Sequence, residues 1–402
     1  MTRTVLTGGQ VFDGTGADFF PADVALEGER IVEVGPGLRG DAVVDATGAT
    51  ILPGLIDTHV HVCLSALDMM TNLNMPFSYQ FFLAERNLRT TLDIGITTIR
   101  DASGADLGIQ RAVDDGLIDG PAMHISIIAL SQTGGHGDHM MPSGVRPDVF
   151  QSYPGRPSAI IDSPDEARRR VRELIRDGAN VIKVNTSGGV FSPRDDPRRA
   201  QFSMAELRVI TEEADRAGIY VMAHAHGRDG IKNALRAGVR SIEHGTDLDD
   251  EAIELMLERD AWLVPTLGVG QFILDRIEAG AAVPAGIEQK ARANAALRAD
   301  SFGRAVRAGV NIAMGSDSAA EAHGDNLIEL RLMRQLGMPA LGVLRAATGA
   351  AATLLNIADR VGFVRPGHQG DLTIVDGDPL DFAVYPGNLR AVYRKGQRVR
   401  GA

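Results

Sequence analysis

His59 and His61 stand two residues apart, just past the apolar run 51–56. On an extended strand, residues i and i+2 share a face, so both imidazoles can grip one ion. Taken alone, the pair reads more simply as two surface histidines at a strand end. Lys183 lies between Ile182 and Val184 in a run that belongs inside a sheet. A buried, unpaired ammonium is costly, so Lys183 needs a partner, a shifted pKa or a covalent modification. A structural salt bridge would meet that need as well as chemistry would. His224 and His226 follow the run 219–223, His244 follows 241–243, and Asp317 follows 310–314. Each has an ordinary reading as a strand cap or a turn residue. All those readings must hold together, however, at the same end of five separate runs. The recurrence points to a metal centre.

The elements that would position these residues follow from the patterning. Between the two ends of the chain, short β-branched runs alternate with stretches of helical period, the mark of βα units and a parallel sheet. The runs are 51–56, 96–99, 123–129, 181–184, 219–223, 241–243, 261–264 and 310–314, with helical stretches such as 165–177, 204–217 and 249–259 between them. Eight strands with intervening helices predict an α/β fold, a (β/α)8 TIM-like barrel over 56–360, whose catalytic side chains come from the C-terminal strand ends. A doubly wound open sheet is the alternative. Residues 1–55 and 361–402 instead show short alternating strands between glycines, too few to bury a core alone, so they are expected to pair as a small β-sandwich domain built from both termini.

Composition narrows the class further. The 402 residues are 44% hydrophobic and 23% charged, ordinary globular usage that excludes disordered and fibrous classes. With 52 acidic against 41 basic residues and a formal charge of −11, nucleic acid and anionic membranes are not expected partners. No run approaches the ~20 apolar residues of a membrane span, and the first ten residues lack a signal-peptide shape. A single cysteine, Cys63, fits a reducing compartment, so the expected location is the cytoplasm.

The segment 52–61, Leu-Pro-Gly-Leu-Ile-Asp-Thr-His-Val-His, resembles the opening motif of the amidohydrolase superfamily, the urease-related metal-dependent hydrolases. Lys183 in Val-Ile-Lys-Val, His224, His244 and Asp317 follow in that superfamily's order, and 370–379 resembles its closing strand. Within it the chain looks most like the branch of imidazolonepropionase, Xaa-Pro and Xaa-Arg dipeptidases and ochratoxin amidohydrolase, on Gly134-Gly-His-Gly137 and Ala223-His-Ala-His-Gly227. Imidazolonepropionase is mononuclear and lacks the bridging lysine, so Lys183 favours the two-metal peptidase-like members. The resemblance implies two divalent ions, zinc first, and a CO2-derived carbamate on Lys183 that supplies oxygen ligands in place of a positive charge. It implies that one ion takes His59, His61 and Asp317, and the other His224 and His244. A hydroxide bridging the ions would attack the amide carbonyl, with Asp317 passing its proton to the departing nitrogen.

The expected activity is hydrolysis of a dipeptide or N-acyl amino acid, prolidase-like or carboxypeptidase-like. The alternatives are a cyclic amide or lactone hydrolase, as in the imidazolonepropionase branch, and a barrel that has lost catalysis and serves as a scaffold. No expected ligand is missing from the sequence, which disfavours the last. His226 is read as a catalytic or substrate-polarising residue, with ligand orientation as its ordinary role. His136, in the long connection 130–164, is a candidate substrate contact. So, less strongly, are His139 and His323. Asp101 reads as a loop anchor, Cys63 as packing, His124 as lying at the wrong strand end and His368 as surface. A substrate carboxylate would need a cation; Arg194 and Arg228 lie near strand ends, with nothing to choose between them. A small-molecule substrate and a homo-oligomer complete the expectations.

Overall fold

A computed structural model of the chain describes residues 2–64, 69–141, 143–145, 150–190, 195–280 and 286–401. Strands from both ends of the chain interleave. One six-stranded sheet runs in the order Gln397–Arg400, Leu389–Arg394, Leu372–Asp376, Ala49–Pro53, Gln10–Val11 and Phe20–Pro21. A four-stranded sheet of Arg30–Gly35, Asp23–Glu27, Arg3–Thr7 and Ala42–Asp45 accompanies it. Leu6, Val24 and Ile31 from the second sheet share one buried cluster with Ile51, Ile374 and Tyr393 from the first. Each such side chain contributes about 1.5–3 kcal/mol by burial, so neither terminus could hold this core without the other.

The intervening residues form two parallel sheets. Strands Ala122–Ile125, Ile96–Asp101, Leu55–His61 and Ser318–Ala319 are neighbours in that order. Strands Ala129–Leu130, Val181–Asn185, Tyr220–Ala225, Ser241–His244, Trp262–Val264 and Asn311–Ile312 follow one another in the second. Segment 313–314 bonds to both: Ala313 N–H donates to Leu263 O at 3.1 Å, and Thr58 N–H to Met314 O at 3.0 Å. Helices lie between strands for local reasons. Pro164–Arg176 has Pro at its start and Ser163 accepting from Glu166 N–H, and buries Ala167, Val171 and Leu174 at helical spacing. Met204–Arg216 opens with a reciprocal Ser203–Glu206 capping box. Because successive strands are parallel, the residue after each one arrives at the same edge.

Three expected runs are not single strands. The run 51–56 divides at Gly54: Ala49–Pro53 pairs with Leu372–Asp376, whereas Leu55–His61 joins the parallel sheet. A Cβ at Gly54 would sit 2.1 Å from Thr97 Oγ1, so only glycine lets the chain cross between sheets there. The run 123–129 breaks around Ile127, which holds a left-handed φ of 68°. The run 310–314 is strand only at Asn311–Ile312. His368 is not at the surface: it is 6% exposed, with Nε2–H donating to Ala358 O. Among the described residues, no helix is long and apolar enough to cross a membrane.

Candidate metal centre

The strand Leu55–His61 points His59 and His61 to the same side, as its two-residue repeat requires. Nε2 of His59 lies 3.4 Å and Nε2 of His61 3.2 Å from Oδ1 of Asp317. Asp317 reaches them from a left-handed turn, φ 57°, fixed by its N–H donating to His59 O at 2.8 Å. His244, at the end of its own strand and also left-handed at φ 73°, lies 3.9 Å from Asp317 Oδ2 through Nδ1. Donor atoms of His59, His244 and Asp317 fall within 4.8 Å of one another, and so do those of His224, His226 and His244. The two groups share His244. His226 thus enters a donor cluster alongside the pair expected for the second ion, and its ring stacks on His244 at 4.8 Å between centroids.

Every imidazole has one nitrogen occupied by the protein. His59 Nδ1–H donates to Glu243 at 2.6 Å, His61 Nδ1–H to Ser103 O at 3.1 Å, and His224 Nε2–H to Gly188 O at 3.1 Å. His226 Nδ1 pairs with Thr246 Oγ1, and His244 Nδ1 with Thr266 Oγ1, each at 2.7 Å. For His59, His224 and His244 this suits a nitrogen ligand: the bonded nitrogen fixes the tautomer and the other can offer its lone pair to an ion, whereas a hydroxyl donating to His226 Nδ1 leaves the proton on its Nε2. Burial keeps most of the rings neutral. It pushes His59 down to about 4, helped by the Lys183 charge, and holds His224, His226 and His244 well below the ordinary imidazole range. His61 goes the other way: burial opposes it, but its hydrogen bond to Asp317 prevails. The donor set of neutral imidazoles plus one carboxylate fits divalent zinc-like ions.

Lys183 is buried with Nζ 3.5 Å from His59 Nε2, and burial lowers its pKa to about 8. That leaves an appreciable fraction as free amine near neutrality. Beneath it lies a charged network that reasoning from the sequence missed. Glu243 accepts two hydrogen bonds from Arg100 Nη2, at 2.9 and 3.0 Å, one from Ser241 at 2.6 Å, and that of His59. Arg100 also donates from Nε to Thr58 O at 2.6 Å. Both charges are wholly buried. The signal was present: Arg100 and Glu243 are charged residues inside runs that should be buried, as Lys183 is.

The remaining candidates distribute as follows. His136 stacks on His224 at 4.3 Å between centroids and pairs through Nδ1 with Asp195 at 2.9 Å, which places it against the donor cluster. His323 has both ring nitrogens engaged, Nδ1 with Thr91 Oγ1 and Nε2 with His61 O, so it buttresses the first strand and offers no nitrogen outward. Asp101 accepts from the N–H groups of Val62, Ser103 and Ala105, an anchor for the loop. Cys63 is buried, and His124 lies within Ala122–Ile125, register-paired with Arg100. His139 is half-buried in the His136 loop. Arg228 is bound to Asp247 at 2.8 Å, and Arg194 falls outside the described residues.

The chain as a whole is similar to known proteins. The ochratoxinase of Aspergillus niger is 37% identical over 373 residues, covering 87% of this chain and 76% of that protein. A solved prolidase structure, complexed with N-methylphosphonate-L-proline, superposes with a TM-score of 0.92 at 35% identity over 100% of both chains. A Xaa-Pro dipeptidase with methionine bound in its active site gives 0.90 at 30% identity over 99% of this chain and 100% of that one. Residues 50–399 match the Amidohydrolase family, and the chain belongs to that family, a hydrolase of C–N bonds.

Proposed function

We propose that this protein is a binuclear metal-dependent amidohydrolase that cleaves the amide bond of a dipeptide or an N-acyl amino acid. One observation carries the reading: two donor groups share His244, and the Lys183 amine is buried 3.5 Å from His59 beside them. His59, His61 and Asp317 would hold one ion and His224 and His244 the other, with a Lys183 carbamate between them. Two bound ions, zinc by donor type, would activate a water and polarise the substrate carbonyl. The same reading closes the two parallel sheets into one (β/α)8 barrel over 56–360, with 1–55 and 361–402 as a β-sandwich domain. It takes the protein as cytoplasmic and self-associating.

The protein's own contributions follow from its contacts. Carbamylation forms a bond from Nζ of neutral Lys183 to the carbon of CO2 and releases the amine proton, turning an awkward buried cation into an anion. Burial favours the neutral amine that this reaction requires. Asp317 is 17% exposed, whereas His59 beneath it is 1% exposed. Asp317 is therefore placed to take a proton and deliver it to a departing nitrogen. Burial would raise that carboxyl, but His59 and the hydrogen bond from His61 outweigh it and hold it below the usual carboxylate range, so it starts the cycle ionised. His226, neutral and fixed by Thr246, can donate to a developing oxyanion. His136, against His224, borders the space a substrate would enter.

Lys183→Ala tests the proposal. Metal content falls together with hydrolysis of a panel of dipeptides and N-acyl amino acids, and short-chain carboxylic acids restore part of both. A variant that keeps its full metal content and activity overturns the two-ion reading in favour of the cyclic amide or lactone alternative.

A further inference from the structure

Four arginines are buried among the described residues: Arg100, Arg156, Arg170 and Arg298. Arg100 is paired with Glu243 and Arg170 with Glu173. Arg156 spends its donors on Gly104 O, Gln151 O and Gln80, and lies over the Tyr153 ring at 4.5 Å. Arg298 has none of these. It projects from helix Ile287–Ala308, is 7% exposed, and makes a single hydrogen bond, from Nη1 to Thr266 O at 2.8 Å. Its Nε is buried without a partner, and no described carboxylate lies within 4.0 Å. A guanidinium carries five donors and cannot shed its charge, so a buried one with a single acceptor is incomplete.

Its position says what would complete it. Thr266, which it grips by the carbonyl, touches His244 Nδ1 with its hydroxyl. One residue therefore separates the free guanidinium from the donor cluster. Three residues on, Ser301 does the same at Thr246, donating to its carbonyl at 2.8 Å while the Thr246 hydroxyl holds His226. The helix is thus fixed against the two threonines that orient the site. The guanidinium also packs against Gly270, where a Cβ would come within 3.2 Å of Nη1, so glycine leaves it the room it occupies. Its nearest charge influences are Asp317 and then Glu329, neither at pairing distance. Glu329 spends its two oxygens on Leu267 and Gly268 N–H and makes no ion pair with Arg298.

We infer that Arg298 binds the free α-carboxylate of the substrate's C-terminal amino acid and thereby restricts the enzyme to acids over amides and internal peptide bonds. The inference rests on the amide-hydrolase reading and adds to it the group that selects the substrate. Arg228 cannot serve, being exposed and held by Asp247. A carboxylate accepts two parallel N–H bonds from one guanidinium, the donors Arg298 leaves unused.

The test compares the wild-type holoenzyme with Arg298→Met and Arg298→Lys on the best N-acyl amino acid of the panel and on its C-terminal carboxamide. Binding of 3-phenylpropanoate, a carboxylate with no amide bond to cleave, is measured calorimetrically in parallel. Arg298→Met should raise KM for the acid by roughly 10–100-fold, the worth of a charged hydrogen bond, with kcat nearly unchanged. KM for the carboxamide should not move, and Arg298→Lys should recover part of the preference for the acid. Calorimetric affinity for 3-phenylpropanoate should fall in step. Equal losses on acid and carboxamide would mean that Arg298 only braces Thr266, and equal binding by wild type and Arg298→Met, or none by wild type, also overturns the assignment. Failure of the wild type to cleave any panel member defeats the amide-hydrolase reading, while the binding arm still decides the role of Arg298.

Discussion

His59 and His244 are both buried histidines at strand ends, yet the protein holds them by different means. His59 is fixed by a carboxylate that is itself held by a guanidinium, all three wholly inside the protein. His244, like His226, is fixed by a threonine hydroxyl. In the low dielectric of an interior, the first arrangement is strong while complete and costly when broken; the second involves no net charge and fails gently. A carboxylate behind an imidazole also makes it a stronger electron donor. The side next to Lys183 is therefore the rigid one, built on paired charges, and the side of His224, His226 and His244 is neutral and more forgiving.

Glu243→Gln strikes the charged side and should have the largest effect. Burial would raise the Glu243 pKa, but Arg100 and the hydrogen bond from His59 outweigh it and bring it down to about 2. With the folded pKa below the unfolded one, its stabilisation is complete above the unfolded pKa near 4.5 and is lost as pH falls toward 2. The amide leaves Arg100 buried without its counter-charge, so unfolding stability at neutral pH should drop by about 3–5 kcal/mol. Denaturant titrations should show that deficit shrinking below pH 4.5. A deficit of the same size at pH 3 and pH 7 would mean that packing, not charge, holds His59.

Thr266→Val keeps the shape on the neutral side and removes the hydroxyl from His244. The net value of such a hydrogen bond is about 0.5–1.5 kcal/mol, and loss of an orienting partner typically weakens metal affinity ~10–100-fold. Chelator competition should therefore register the change more clearly than thermal unfolding does. If Thr266→Val destabilised the fold as much as Glu243→Gln, the contrast between the two sides would disappear.

The sequence marked the candidate ligands and left their supports unmarked, and the reason is physical. His59, His61, His224, His244 and Asp317 stand where apolar runs stop, so a polar residue is visible against its neighbours. Arg100 and Glu243 also interrupt buried runs, but each looked like one more polar residue beside a ligand or loop; only the fold brings residues 143 apart within 2.9 Å. Arg298 lies in a long helix with one buried face, where arginines recur at 292, 298, 304 and 307, and a charged residue on that face reads as one more solvated arginine until the fold shows it turned inward. The fold shows the same limit. Eight runs were legible because buried parallel strands are continuous apolar segments. That continuity hides the breaks at Gly54 and Ile127, where the chain changes sheet or direction without a change in hydropathy. His368 was read as surface because its burial depends on packing against 358–365, outside its own strand pattern.

The comparison also predicts where a charge pair should matter least. Arg228 and Asp247 make a 2.8 Å ion pair as short as that of Arg100 with Glu243, but their side chains are 56% and 26% exposed. If geometry alone set the value of a pair, Arg228→Gln would be as damaging as Glu243→Gln. Water screens this pair, and holding two long side chains in place costs entropy, so the expected loss is below about 1 kcal/mol. Neither KM nor the preference for a free carboxylate should change, because Arg228 is committed to Asp247 and not to the site. Unfolding titrations and KM measurements on Arg228→Gln decide the point together. A raised KM confined to acids would place the carboxylate at Arg228 instead of Arg298, whereas a small, salt-dependent loss of stability with unchanged kinetics leaves burial, not proximity, as what separates the two pairs.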